Sequence, residues 1–328
     1  MTLKVDSKNP VHATGFFVSN PENGIYTVDT HHIRPNLDAS HLIVDDHRVA
    51  VVDTGTALSV PHILNALQRL NLACEQVDWI LLTHIHLDHA GGAGTLMKFF
   101  PNATVAVHPR GARHLVDPTK LVAATIDVYG EDFFRTMYGV VEPISEQRVK
   151  VCDDQTTIRL GQRELSVWHS PGHALHHQVF VDHAAKSIMA GDAFGVSYRE
   201  LDVEGRPFMM PATTPSQLDP EAMIRSIQKI AAYEPAAVFV THYSRLTNVP
   251  DLANQLIESL HHFTEFARQV KRRGGTESEL KNQIKELVFN QLSVHGDRHS
   301  DPEREALLDL DIDLDAQGLW HWASKLTG

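Results

Sequence analysis

The stretch Ile80–Gly94 reads ILLTHIHLDHAGGAG. A run of apolar residues, the mark of a strand buried on both faces, passes straight into three histidines and an aspartate, then into three glycines. Side chains in extended backbone repeat every two residues, so His84 and His86 point to one side and form half of a metal site. Asp88 shares their parity, while His89 turns elsewhere as the chain enters a helix. One motif can in this way feed two neighbouring metals. Burying so many titratable groups without a cation carries a large desolvation cost, which makes metal the better reading than packing. Imidazole nitrogen with carboxylate oxygen, and no thiolate, suits zinc, iron or manganese.

Composition narrows the function classes. The chain has 328 residues, 42% apolar and 21% charged, as expected of a globular protein. Its formal charge of −12 works against a sequence-independent grip on nucleic acid, which needs basic surface to displace counterions. No apolar run approaches the ~18 residues of a membrane span. The opening MTLKVDSKNPVHATGFFV lacks the charged-then-apolar layout of a secretory signal, so the expectation is a cytoplasmic protein without membrane association. Cys74 and Cys152 form no C-x-x-C pattern and read as ordinary buried thiols.

Outward from the motif, the chain alternates strands and helices up to residue 250. SHLIVDD and RVAVVDTG read as a hairpin turning at Asp46 and His47. Ser59 is expected to cap a helix with Pro61 in its first turn. Residues 110–145 read as a helical insertion lying over something. Strands resume with TTIRLG, ELSVWHSPGH, HQVFVD and SIMAGD, followed by a helix over about 219–232 and the strand AAVFVTHY. Past Pro250 the pattern is purely helical. Leu252, Leu256, Leu260, Phe263, Ala267 and Val270 share one face, and Thr276 with Glu279 makes a capping box. DLDIDLD lacks the glycine and the bidentate glutamate of a calcium loop and reads as a solvated face or helix entry. The expected organisation is a catalytic domain over 1–250 and a helical extension over 251–328 that packs on it, walling the cleft together with 110–145 or forming a homodimer interface.

Three later strands also halt on potential ligands: SPGH ends at His173, AGDAF carries Asp192 and VTHY carries His242. A sheet would present all three along one edge.

This order of motifs, H-x-H-x-D-H and then a distant His, Asp and His, resembles the metallo-β-lactamase superfamily over roughly residues 20–250. The PGHxxxH form from His173 to His177, GDAF and HAGG resemble its glyoxalase II and lactonase side. The resemblance implies an αββα sandwich, of α/β (α+β) class. It also implies one metal on His84, His86 and His173, a second on Asp88, His89 and His242, and Asp192 bridging them. Asp53, in VDTG, matches the family's first motif, where the acid supports ligands from behind, and His177 reads as a supporting hydrogen-bonder. His31, His32, His41, His108 and His176 receive no role.

Two divalent ions, zinc first among the candidates, would lower the pKa of a bridging water towards ~7 and so give hydroxide at neutral pH. Asp88 would orient it and accept its proton. The reading is a metallo-hydrolase acting on a small carboxylic ester, thioester or lactone. The alternatives are a phosphodiesterase, an iron-dependent oxidoreductase of the persulfide dioxygenase kind, and a metal-binding regulator without catalysis. Asp192 stands where many true β-lactamases carry cysteine, which argues against antibiotic hydrolysis. Tyr198, Tyr243, Arg199 and Arg245 are the candidate substrate contacts, with packing and surface ion pairs as their plainer roles.

Overall fold

The computed structural model describes residues 16–20, 23–214 and 217–326. The chain divides by internal packing into two units, residues 1–166 with 182–185 and residues 167–181 with 186–328.

The first unit is built on a seven-stranded sheet in chain order: β1 (Phe16–Asn20), β2 (Ile25–Asp29), β3 (Ala39–Asp45), β4 (Arg48–Val52), β5 (Val77–Leu81), β6 (Thr104–Val107) and β7 (Val149–Val151). The first four strands pair antiparallel and β4 to β7 parallel, so the sheet is mixed. The β3–β4 hairpin turns at Asp46 and His47, both with positive φ, as a tight two-residue turn requires. Helix α1 (Val60–Arg69) buries Val60, Ile63, Ala66 and Leu67 in the core that also holds Val51, Ile80 and Val105. Ser59 is not its side-chain cap, because a 3-10 turn over Ala57–Ser59 precedes the helix and already holds Ser59 in helical φ/ψ. Thr56 caps that turn instead, accepting from the Leu58 amide.

Parallel pairing on both sides buries β5 and aims its carboxyl end at the short helix α2 (Leu87–Ala90), which leads to α3 (Ala93–Phe99). The insertion forms α4 (Ala112–Val116), α5 (Thr119–Tyr129) and α6 (Glu131–Met137). Phe134 and Tyr138 from it pack on Leu87, the residue between His86 and Asp88. β8 (Thr157–Leu160) pairs antiparallel with the start of β9 (Arg163–His169).

In the second unit the strand order is β13-β12-β11-β10-β9, with β10 (Gln178–Asp182), β11 (Ser187–Met189), β12 (Ala237–Val240) and β13 (Ser244–Leu246). β11 and β12 are parallel, β12 and β13 antiparallel. Helix α7 (Pro220–Ala232) starts at Asp219, whose carboxylate accepts from the Ala222 amide. The remaining helices are α8 (Val249–Arg272), α9 (Glu277–His295) and α10 (Asp301–Leu326). Leu252, Leu256 and Leu260 of α8 share one core with Val181, Ile188, Val238 and Met223. The expected Thr276–Glu279 capping box opens α9.

DLDIDLD is a solvated face on one side only and is no helix entry, since α10 begins at Asp301. It lies inside α10, where Asp309 and Asp313 pair with Lys281 while Asp311 and Asp315 turn inward. A 3.6-residue period carries residues four apart to the same face, so the two inward aspartates form one pair and the two outward ones another. No helix among the described residues is long and apolar enough to cross a membrane.

Candidate metal centre

In the first unit the donors are arranged around one carboxylate. Asp53 follows β4 in a left-handed conformation and is fully buried. Its Oδ1 accepts from the Thr83 amide at 2.8 Å, and its Oδ2 accepts from Thr83 Oγ1 at 2.7 Å. The same Oδ2 lies 2.8 Å from His89 Nδ1. The Thr83 hydroxyl gives its one proton to Asp53, so it receives the Nδ1 proton of His84 at 3.2 Å. Both Nδ1 atoms are thereby occupied and each Nε2 is left with its lone pair, the tautomer that a metal needs.

The backbone fixes the ring positions. His86 is the extended residue at the N-terminus of α2, and the carbonyl of His89 accepts from the amide and the hydroxyl of Thr54. The His84 and His86 rings lie 4.4 Å apart at 78°, and the His84 and His89 rings 4.0 Å apart. Asp88 Oδ2 is 3.4 Å from His89 Nε2, and its side chain keeps 22% exposure where the His89 ring has none. Glycine is required beside the motif because a Cβ on Gly94 would collide with the carbonyl of Glu142. This is close packing at a helix start and not a phosphate cradle.

In the second unit the strand ends bring together His173, Asp192 and His242. His173 Nε2 stands 3.4 Å from Asp192 Oδ2, and His242 Nε2 stands 3.6 Å from Asp192 Oδ1. His173 Nδ1 donates to the carbonyl of Ala212 at 2.8 Å, which again turns Nε2 outward. The His242 carbonyl accepts from the Ser197 amide. Asp192 sits in a 3-10 turn directly after β11 and is 4% exposed. His177 is buried with Nδ1 2.9 Å from Ser170 Oγ, so its partner is a serine on its own loop.

These donors fit a divalent metal. Ligand atoms bound about 2.0–2.2 Å from one ion stand roughly 3–3.5 Å from each other. The spacings of 3.4, 3.4 and 3.6 Å between Nε2 atoms and carboxylate oxygens are of that size and longer than good hydrogen bonds. The donor set is nitrogen and oxygen throughout. Cys152 is buried in the first unit, where burial pushes its thiol up to about 11, and Cys74 is half-buried.

The substrate candidates are placed as follows. The Tyr198 hydroxyl donates to both carboxylate oxygens of Asp311, at 2.9 and 3.1 Å. The Arg199 guanidinium donates to the Ser197 carbonyl and lies 3.3 Å from Asp202. Tyr243 is buried, and Arg245 is half-buried on β13 opposite Phe239. Among the histidines without a role, His41 Nδ1 meets Thr27 Oγ1, His108 Nδ1 accepts from the Arg110 amide, and His31 stacks on His62. Residue reading passed over Thr83, although its place immediately before a ligand at a strand end was a usable signal. Ala212, Thr213, Asp311 and Asp315 left no such signal.

A family model described as the metallo-beta-lactamase superfamily matches residues 35–242. A metallo-beta-lactamase fold-containing protein of Sulfurisphaera tokodaii is 21% identical over 226 residues, covering 68% of this chain and 79% of that protein. A hydroxyacylglutathione hydrolase of Aeromonas salmonicida is 28% identical over 209 residues, 63% of this chain and 62% of the enzyme. The crystal structure of a metallo-beta-lactamase family protein from Thermus thermophilus superposes with a TM-score of 0.66 at 19% identity, covering 93% of this chain and 94% of the other. At that coverage the likeness of fold takes in most of the helices after β13.

Proposed function

Since the chain belongs to the metallo-beta-lactamase superfamily, we propose that it is a metal-dependent hydrolase acting on a small carboxylic ester, thioester or lactone. The motif correspondence gives His84, His86 and His173 to one ion, Asp88, His89 and His242 to a second, and Asp192 to both. One observation carries this reading. Asp192 offers Oδ2 towards His173 and Oδ1 towards His242, each oxygen beside a histidine from a different ligand set, which is the posture of a bridging carboxylate.

Such ions, when bound, supply Lewis acidity towards a carbonyl oxygen and a lowered pKa for water. The chain's own residues do the rest. Asp53, Thr83 and the Ala212 carbonyl take the Nδ1 protons, so the rings of His89, His84 and His173 each hold a single orientation. Of Asp53, Asp88 and Asp192, Asp88 is the most open and is suited to receive the proton of an attacking water at its oxygen. No serine or cysteine nucleophile is needed. The name of the Aeromonas relative gives hydroxyacylglutathione as its substrate, which supports the ester and thioester class over phosphodiesters. The net charge of −12 favours a small molecule over nucleic acid as partner.

Elemental analysis of the purified protein, paired with thioester, lactone, ester and bis(p-nitrophenyl) phosphate substrates, tests the proposal. The expected result is bound zinc, iron or manganese and turnover of one of the first three. Metal-loaded protein that hydrolyses none of them, or that instead consumes oxygen with a persulfide, would replace it with another reading.

A further inference from the structure

One peptide group in the second unit is held at both ends. Its carbonyl, Ala212 O, accepts the Nδ1 proton of His173 at 2.8 Å. Its N–H, on Thr213, donates to Asp315 Oδ1 at 2.6 Å, and Thr213 Oγ1 donates to the same oxygen at 2.8 Å. Asp315 lies in α10 and is 1% exposed. Ligating histidines commonly hand their second N–H directly to a carboxylate. Here a peptide unit stands between the two, and polarisation passes along such a chain, because an acceptor on the N–H strengthens the carbonyl of the same amide.

Two further contacts press α10 onto this loop. The Tyr198 hydroxyl, six residues after Asp192, is held by Asp311 one turn before Asp315. Gly318 passes so close to the Thr213 carbonyl that no Cβ fits between them. Asp311, Asp315 and Gly318 therefore form one face of α10 that grips both ends of the segment from Tyr198 to Thr213.

We propose that Asp315 is a positioning residue for His173, acting through the Ala212–Thr213 peptide to hold the imidazole in its Nδ1–H tautomer with Nε2 turned to the metal. The inference rests on the metal reading of His173. Burial pushes the Asp315 carboxyl well above the usual carboxylate range, with the Thr213 hydrogen bonds opposing that rise. The role survives either protonation state, since a neutral carboxyl still accepts through one oxygen.

The test compares the full-length wild type, Asp315→Leu, Asp315→Asn and His173→Ala. Zinc affinity is measured by chelator competition, and the His173 tautomer is read by imidazole 15N NMR in the metal-free protein above the imidazole pKa. Asp315→Leu is expected to weaken zinc binding by about 10–100-fold and to raise the Nε2–H tautomer. Asp315→Asn keeps an oxygen for both Thr213 donors and should restore affinity and tautomer. A folded Asp315→Leu protein with wild-type affinity would overturn the inference. So would a wild type whose His173 rests in the Nε2–H form, and that measurement decides the matter even if the leucine variant does not fold. If wild type and His173→Ala alike bind no zinc, iron or manganese, the metal reading fails, while the tautomer still judges the hydrogen-bond relay.

Discussion

Asp53 Oδ2 lies 2.8 Å from His89 Nδ1 with both side chains out of solvent, and the two Asp53 oxygens also take the Thr83 amide and hydroxyl. One carboxylate thus sets the orientation of two histidines, His89 directly and His84 through Thr83. Asp53→Ala removes the acceptor and leaves three buried donors. The expected outcome is metal affinity lower by about 10–100-fold together with a loss of roughly 1–3 kcal/mol for each stranded donor. Metal titration and urea unfolding of the same variant check both, and wild-type metal affinity would remove Asp53 from the supporting role.

Gly94 sits where α3 runs against the Glu142 carbonyl, and alanine there has no room. Gly94→Ala should cost about 1–3 kcal/mol, as overpacked sites do, although alanine is the better helix former. A rise in the urea midpoint would show that the 142 segment gives way freely.

Helix α8 is part of the second unit's core. Leu260 of α8 is fully buried in the cluster with Ile188 and Val238, so Leu260→Ala should destabilise by about 2–5 kcal/mol. Deleting residues 251–328 strips that core of its α8 side and is expected to give insoluble or inactive protein. A soluble truncation with full turnover would contradict this.

Asp202 gives a pH dependence with a definite sign. Burial is the main cause that raises its carboxyl to about 6, with Arg199 opposing and Glu200 adding to the rise. The folded state therefore binds this proton more tightly than the unfolded chain, and the stability it confers is present at pH 4 and lost as pH rises through about 6. Asp202→Asn cannot titrate. The stability of the variant minus that of wild type should grow by up to about 3 kcal/mol between pH 4 and 7, measured by chemical denaturation at each pH. A difference that is flat across this range would show that the carboxyl titrates normally.

Much of the centre is legible in the chain because its signals are local. The shared side of His84 and His86 follows from extended backbone, whereas Asp88 already lies in α2, and the apolar runs ending at His173, Asp192 and His242 announce strand ends. The Asp46–His47 turn and the Thr276–Glu279 box each need only neighbours within four residues. Ser59 misled because the choice between capping a helix and continuing a 3-10 turn is made by how Thr56 packs, and helical periodicity does not carry that information.

The sequence by itself determined the kinds of donor, their order and the strand ends that bear them, since these depend on residue type and a two-residue repeat. Only the tertiary structure decided what holds the rings still. An acceptor such as Ala212 O is a backbone carbonyl that every residue possesses, and Asp315 meets Thr213 across 102 residues of chain. Four aspartates alternate along DLDIDLD, and side-chain chemistry does not distinguish them. Packing of α10 turns two towards Lys281 and two towards the loop, because a helix face acquires its meaning from whatever lies against it.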